Sequence, residues 1–550
     1  MIVDSIRQLL KYLQGIRFRI VLNSLAGILN VCAGLFFVWV SKQLIDIATR
    51  SMEGNMTHYI VLLIATMCSQ ILLSVLKNRL ETETDIYFKN KWRHNLFSHL
   101  MISAWNGKES FHSGDAVNRI EEDVRVVAEG ICKSVPAVII TSFQFLGAFL
   151  FLSKLNTRLA WTLIFIMPLF LVLSKVYVKR MRRFTKEIRN LDSQVQSHIQ
   201  EKLQYKVLIQ TLAQNIPVAD KLDAIQSILY NRVMKRANFT VFSRMLIMAG
   251  FATGYLIAFL WGIKGIYEGA ITFGMMTAFL QLVGQIQRPL VELSQYIPSL
   301  AHTITSAERL NELDDLTTEV QGEQEMLDGQ VGIRLENISF AYPDGKRQII
   351  EHLSYDFTPG SRTAIVGETG VGKSTLIRLM LALLQPREGK VCLYNSMRER
   401  EATPLTRCNL IYVPQGNTLL SGTIRDNLLL GNPDATDQEL RKVLTTAVAD
   451  FIYDLPDGLD TLCGERGTGL SEGQAQRLCI ARGLLRPGNI LLLDEFSSSL
   501  DRETERLLME RLISQAEDKT LIFITHREIV AQYCDQTIKL ERKDSESSYA

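Results

Sequence analysis

The eight cysteines of this 550-residue chain are scattered, and no two form a C-x-x-C pair. That argues against a disulfide framework or a cysteine-built zinc site, and a reducing compartment fits. Charge of one sign is also missing. The net charge is only +2, so no global field draws the chain to nucleic acid. No small-residue cleavage site follows the first apolar stretch at signal-peptide distance. Behind Arg7, Lys11, Arg17 and Arg19, that stretch is expected to stay as a membrane helix. Neither end carries a lipidation motif. Long apolar runs are absent after about residue 300, so that part reads as an ordinary soluble domain. The length is too great for one core, and two or more domains are expected.

What is present before residue 300 is apolar sequence. Mean hydropathy is +0.09, high for a soluble enzyme of this size. Runs approaching the roughly 20 residues of a bilayer span occur at 20–40, 59–76, 135–155, 160–177, 245–266 and 273–297. One such run could be a buried core helix. Six, with no strand pattern between them, read as six transmembrane helices.

Lys and Arg concentrate between the second and third spans and between the fourth and fifth. The second of these segments includes Lys179, Arg180, Arg182, Arg183, Lys186, Arg189, Arg232, Lys235 and Arg236. Both segments and both termini are therefore expected in the cytoplasm. From Glu187 the second basic segment lacks Gly and Pro until Pro217, which predicts membrane helices running on past the bilayer. Turns are expected at Phe111-His112-Ser113-Gly114-Asp115 and within 208–217. In the last span Gln281, Gln285, Arg288 and Glu292 share one helical face with Gln295. Ionisable groups at membrane depth face protein or water. They are candidates for a substrate path, the alternative being a polar seam between helices. Arg288 and Glu292 stand at pairing distance along the helix, and Pro289 is placed to bend it.

Residues 314–329 are polar and acidic and read as a linker, giving a membrane domain of 1–313. A soluble domain follows at 330–542, with a polar tail at 543–550. Within it Gly367-Glu368-Thr369-Gly370-Val371-Gly372-Lys373-Ser374-Thr375 fits the P-loop pattern, between an apolar strand and a helix. Glycines let backbone N–H groups surround phosphates, Lys373 reaches the terminal phosphates and Ser374 can hold Mg²⁺. The helix N-terminus adds its dipole. Further on, Asn489-Ile490-Leu491-Leu492-Leu493-Asp494-Glu495 reads as a strand buried on both faces and ending in two carboxylates. Asp494 is placed for the Mg²⁺ shell and Glu495 to polarise a water.

With Leu470-Ser471-Glu472-Gly473-Gln474 upstream, the chain resembles an ABC exporter half-transporter of the type IV family, which includes multidrug and lipid exporters. The resemblance implies a fold. It is an all-α polytopic membrane domain of six helices with long cytoplasmic extensions, followed by an α/β P-loop ABC ATPase domain. It implies roles too: Tyr342 as the aromatic residue against adenine, Gln415 as the Q-loop glutamine on Mg²⁺ and the γ-phosphate, and Leu470 to Gln474 as the signature serving the partner's ATP. Asp501 resembles the D-loop aspartate, His526 the switch histidine, and Gly464-Glu465-Arg466-Gly467 the X-loop. Ser113-Gly114-Asp115 with Arg119 and Asp123 resembles the first intracellular loop, and Ala307-Glu308-Arg309 the end of the sixth helix.

Two departures stand out: Glu472 where the family usually has glycine, and Phe496 where a small residue is common. A carboxylate beside a phosphate repels it unless it points away, so Glu472 bears on rate. One chain with one P-loop and one signature is expected to work as a homodimer with two ATP sites, or as the competent half of a heterodimer. The expected cargo is an amphipathic or lipid-like molecule, with peptide export the alternative. An ATP-gated channel or sensor is the non-transport reading, and no nucleic acid is implied.

Overall fold

A computed structural model describes residues 12–13, 15–105, 113–342, 348–368, 370–464 and 469–541. Outside the described residues lie Arg7, Lys11, Phe111, His112, Thr369, the Glu465 to Gly467 part of the expected X-loop, and the tail. Side chains at 113, 164, 166–179, 182 and 528 are likewise outside. The chain divides into two compact units. One comprises 1–97 and 114–314, and the other 98–113 and 315–550.

The first unit is helical: α1 (Arg17–Ala48), α2 (Met56–Ile102), α3 (Gly114–Leu155), α4 (Thr157–Gln204), α5 (Lys206–Thr211), α6 (Asn215–Tyr267) and α7 (Phe273–Asp314). The last residues of α2 fall in the other unit. At 1.5 Å per residue α2, α4 and α6 run roughly 70–80 Å, far beyond a bilayer core of about 30 Å. The apolar spans therefore continue as polar helix. Among the described residues α1, α2, α3 and α6 are long and apolar enough to cross a membrane. The expected fourth span lies on α4, where most of its side chains are outside the description. The expected sixth lies on α7, whose glutamines and Arg288 dilute its apolar character. The second turn is built around α5, with Ala213 in left-handed backbone at φ 54°.

Sequence-distant residues pin the helices together. Asp46 is buried, pairs with Lys42 at 2.9 Å and accepts the Gly274 N–H at 3.0 Å, fixing the start of α7. A Cβ on Gly274 would lie 2.4 Å from the Lys42 carbonyl, so only glycine lets α1 and α7 meet there. Asn156 caps α4 by accepting the Leu159 N–H. Around these anchors Val38, Leu152, Leu163, Phe279, Leu282 and Ile286 form a close-packed core. The two motifs expected on the inner side, around 115–123 and 307–309, also meet. Asp123 accepts from Ser306 at 2.9 Å and pairs with Arg309 at 3.3 Å, while Arg119 bridges Asp115 and Glu312. α3 contains two π-helical turns, Arg119–Asp123 and Glu129–Ser134; the first carries Arg119 and Asp123.

The second unit holds two sheets. β1 (Gly332–Phe340), β2 (Ile350–Phe357), β4 (Glu388–Tyr394) and β5 (Glu399–Glu401) make an antiparallel sheet ordered β2-β1-β4-β5. β3 (Arg362–Gly367), β6 (Leu410–Val413), β9 (Ile490–Asp494), β10 (Thr520–Ile524) and β11 (Gln536–Leu540) make a parallel sheet ordered β11-β3-β10-β9-β6. Ile490 to Leu493 are fully buried, as an aliphatic run with helices on both faces requires. Helices α8 (Lys373–Met380), α9 (Ile424–Leu429), α10 (Asp437–Thr446), α11 (Glu472–Leu485), α12 (Arg502–Gln515) and α13 (Glu528–Gln532) complete the unit. A two-residue pair, β7 (Gly422–Thr423) with β8 (Leu462–Cys463), ties α9 to the loop before the signature. The 314–329 stretch leaves α7 and is held on this unit by a bidentate Arg407–Glu319 pair and by the Leu327 N–H on Asn409.

Candidate nucleotide site and membrane chamber

Parallel strands bring their C-terminal ends to one edge, where open α/β sheets bind ligands. In this register Ile365, Ile524 and Asp494 lie level, and Val413, one strand further, is level with Leu493. The residues just past them are the P-loop, Thr525-His526, Glu495 and Pro414-Gln415. Sites scattered over 160 positions of sequence become neighbours because the sheet is parallel.

Gly370 and Gly372 take positive φ of 84° and 109°, turning the loop so that α8 begins at Lys373. The Lys373 ammonium donates to the carbonyls of Gly367 at 2.6 Å and Glu368 at 3.1 Å, and lies 2.9 Å from His526 Nε2. Burial pulls its pKa down, against the opposing pull of Glu495 and Asp494. Ser374 is exposed on the same turn, and Thr375 lies behind it within 3.2 Å of the Tyr342 hydroxyl.

Asp494 is buried, and burial first, then the neighbouring Glu495 charge, pushes its pKa up to about 6. Such a carboxylate gains from a cation at its side. With the Ser374 hydroxyl and the Gln415 amide oxygen it offers the hard oxygen donors that Mg²⁺ uses together with phosphate. Glu495 sits in left-handed backbone at φ 44°, a conformation that costs a non-glycine residue and aims its side chain out of the strand. Its Oε2 accepts from Gln415 at 2.7 Å and its Oε1 lies 3.0 Å from His526 Nε2. One Nε2 cannot donate to Glu495 and accept from Lys373 at once, so the imidazole tautomer selects the partner.

The signature segment has partners of its own. Ser471 caps α11 in a reciprocal box with Gln474, at 3.2 and 2.9 Å. A Cβ on Gly473 would come within 2.9 Å of the Ser499 carbonyl, so glycine is what lets α11 lie against the loop carrying Asp501. Glu472 is exposed in the first turn of α11, where a carboxylate complements the helix dipole, and Leu470 packs on the core below. Asp501 caps α12 through the N–H groups of Glu503 and Thr504, which holds its pKa below the usual carboxylate range. Phe496 is fully buried against Phe523, so the larger residue there is taken up by the core.

Residues not singled out in the sequence complete the site. Arg378, one helical turn after Ser374, donates to the Tyr342 hydroxyl at 3.2 Å and stacks 4.7 Å over Trp105. Tyr412, on β6 beside Asp494, has its pKa pushed up to about 12 by burial and that carboxylate. Arg527 pairs with the fully buried Glu505 at 2.9 Å and donates to the carbonyls of Ser498 and Leu500, clamping the segment between Glu495 and Asp501. The i, i+4 spacing of Ser374 and Arg378 was a legible signal; the Arg527–Glu505 pair had none.

In the helical unit, Gln281, Gln285 and Arg288 line a cavity of about 960 Å³ with Gln144, Phe251 and Tyr255. Glu292 lies beyond its end, and no Arg288–Glu292 pair forms among the described residues. Gln287 is buried against Gly254. Phe251, Tyr255 and Phe259 are spaced by four along α6, an aromatic face that the sequence carried openly.

The family profile for the ABC transporter transmembrane region matches residues 20–290, and the ABC transporter profile matches 350–498. The chain belongs to the ABC transporter family. An ATP-dependent lipid A-core flippase of Pseudomonas fluorescens is 28% identical over 489 residues, covering 88% of this chain and 80% of the relative. A Staphylococcus aureus protein named for multidrug export is 28% identical over 453 residues, 82% and 78% of the two chains. A bacterial Atm1-family ABC exporter solved with ATP bound superposes with a TM-score of 0.78 at 23% identity, over 96% of this chain and 94% of that one. This ABC transporter is thus a half-transporter of the exporter type: a helical membrane domain fused to an α/β ATPase domain.

Proposed function

We propose that this ABC exporter moves an amphipathic or lipid-like molecule out of the cytoplasm as a homodimer with two composite ATP sites. The reading rests above all on one juxtaposition: Lys373, Gln415, Glu495 and His526 converge at one sheet edge, while Ser471 and Gly473 present a second surface on α11. A single chain carries the two halves of an ATP site on different faces, and two chains supply each other. The membrane domain (1–313), linker (314–329) and nucleotide domain (330–542) act as the working parts. The termini and the nucleotide domain lie on the cytoplasmic side, to which the Lys- and Arg-rich segments point.

In this reading P-loop amides and Lys373 take the phosphates, with Tyr342 against the base. Mg²⁺, held through Ser374, Asp494 and Gln415, would neutralise charge between the β- and γ-phosphates. Glu495 orients the attacking water and accepts its proton. His526 and Gln415, both already on Glu495, place that carboxylate. ATP joins the two nucleotide domains and hydrolysis separates them, and the long helices rock between two packed arrangements. Few charges and many aromatic groups in the chamber suit an amphipathic cargo.

The deciding experiment is ATPase activity and mass of the chain expressed alone in nanodiscs, with Glu495→Gln as control and ATP-driven uptake into inside-out vesicles. A dimer whose activity and uptake vanish in the variant supports the proposal. A folded chain inactive alone points to a missing partner subunit. ATP-opened current without accumulation overturns export.

A further inference from the structure

A second cavity, of about 700 Å³, opens between α4, α6 and α7 next along the helices from the first. Its described lining includes three cations, Lys186, Arg189 and Arg244, with no carboxylate. None of the three makes an ion pair or hydrogen bond among the described residues. Glu187, the acid nearest in sequence, is committed elsewhere, to Arg183 at 3.1 Å and Arg232 at 3.3 Å. Neutral hydrogen-bonding groups, Asn190, Ser243 and Gln295 among them, fill in around the cations. Like charges without counter-charges repel one another, and an anion relieves that repulsion.

The first cavity differs in chemistry. Phe251, Tyr255 and Phe259 line it, with amides and one cation, Arg288. Both cavities share α6 and α7. From Arg244 to Phe251 and Tyr255 is roughly 10–16 Å at the rise of a helical residue. That is the length of a medium alkyl chain or a fused-ring body.

We propose that the transported molecule is an anionic amphiphile, with a phosphate or carboxylate headgroup held by Lys186, Arg189 and Arg244 and an apolar body reaching the Phe251–Phe259 face. The proposal deepens the export reading and rests on it. A membrane phospholipid and a soluble lipophilic acid share this chemistry.

The test measures binding without ATP, on the full chain in phosphatidylcholine nanodiscs corrected with empty discs. The probes are hexadecyl phosphate, hexadecyltrimethylammonium with the same chain, and inorganic phosphate alone. Hexadecyl phosphate is expected to bind at least tenfold tighter than the ammonium probe and to weaken as salt rises. The double variant Arg189→Glu, Arg244→Glu is expected to invert that order, a gain for the cation that a misfolded chain would not show. Equal binding of both hexadecyl probes, or an unchanged order in the variant, overturns the proposal. So does displacement of hexadecyl phosphate by an equal concentration of inorganic phosphate, which would make the headgroup sufficient. Adding a phospholipid with an anionic headgroup to the disc separates the sources: competition supports a lipid cargo, and its absence a soluble acid. Glu495-dependent uptake of other compounds with no anion binding would sink this inference and leave export standing. Anion binding with no uptake would sink export and leave only the anion-binding site standing.

Discussion

At the scale of single residues, Glu495 concentrates the chemistry. Its left-handed backbone and its two partners, Gln415 and His526, hold one carboxylate where, in the proposed mechanism, it would orient an attacking water. Removing a positioned general base typically slows a reaction by about 10²–10⁴-fold. Glu495→Gln is therefore expected to lower steady-state ATPase turnover at least about 100-fold while leaving ATP affinity within a few-fold, read by filter binding. Arg527 has a structural task. Without it Glu505 would be left charged and fully buried, and breaking such a pair costs about 3–5 kcal/mol. Arg527→Ala should lower the unfolding midpoint of the full chain in detergent, and Arg527→Ala with Glu505→Leu should recover part of the loss. An unchanged midpoint in the single variant would refute the clamp. Tyr412 was hidden in the sequence because its meaning depends on a strand neighbour, Asp494, that lies far off in the chain, whereas Arg378 showed only its helical spacing from Ser374 and not its contact with Tyr342.

Among the elements, α11 shows how a departure from a family pattern can be read locally. Glu472 occupies the first turn of a helix, where a carboxylate contributes about 0.3–1 kcal/mol, and it is exposed. Glycine there gives up that contribution and removes a negative charge from the surface that the proposed dimer would offer to the partner's phosphates. Glu472→Gly is expected to raise ATPase turnover with a small drop in thermal stability. A slower enzyme would show that the carboxylate assists. The neighbouring Gly473 has no such freedom. Gly473→Ala pushes a methyl into the Ser499 carbonyl and should lower ATPase at least about tenfold, by moving the signature against the Asp501 loop, while the far-UV helix signal stays unchanged. The helical anchors obey the same logic. The Asp46–Gly274 contact needs a carboxylate on one helix and a bare backbone on another, and no local pattern announces it.

For the whole molecule the question is how many chains make one machine. If each ATP site draws Lys373 from one subunit and Ser471 from the other, ATP hydrolysis should be cooperative. Mixing wild-type chains with Lys373→Ala chains before assembly should give activity that falls faster than linearly with the wild-type fraction. A linear dilution would indicate that each chain works alone. Lys186, Arg189 and Arg244 belong to this scale as well. Each reads in the sequence as one more basic residue of a basic segment, and only the packing of α6 against α4 and α7 turns them into one uncompensated pocket.

The sequence alone determined the nucleotide motifs and the apolar helices. Those signals are local: glycine spacing around a phosphate, apolar length against bilayer thickness, a strand of aliphatics ending in two acids. It also placed Gln281, Gln285 and Arg288 on one face, because helical periodicity is fixed by backbone geometry. Tertiary structure alone decided that Gln415, Glu495, His526 and Lys373 touch, since strand order in a parallel sheet is set by crossovers and by burial over the whole domain. It alone joined Asp123 to Ser306 and Arg309, buried Phe496, and ended the first cavity before Glu292. Contacts between residues hundreds of positions apart depend on how helices and strands pack, and packing is a property of the folded chain.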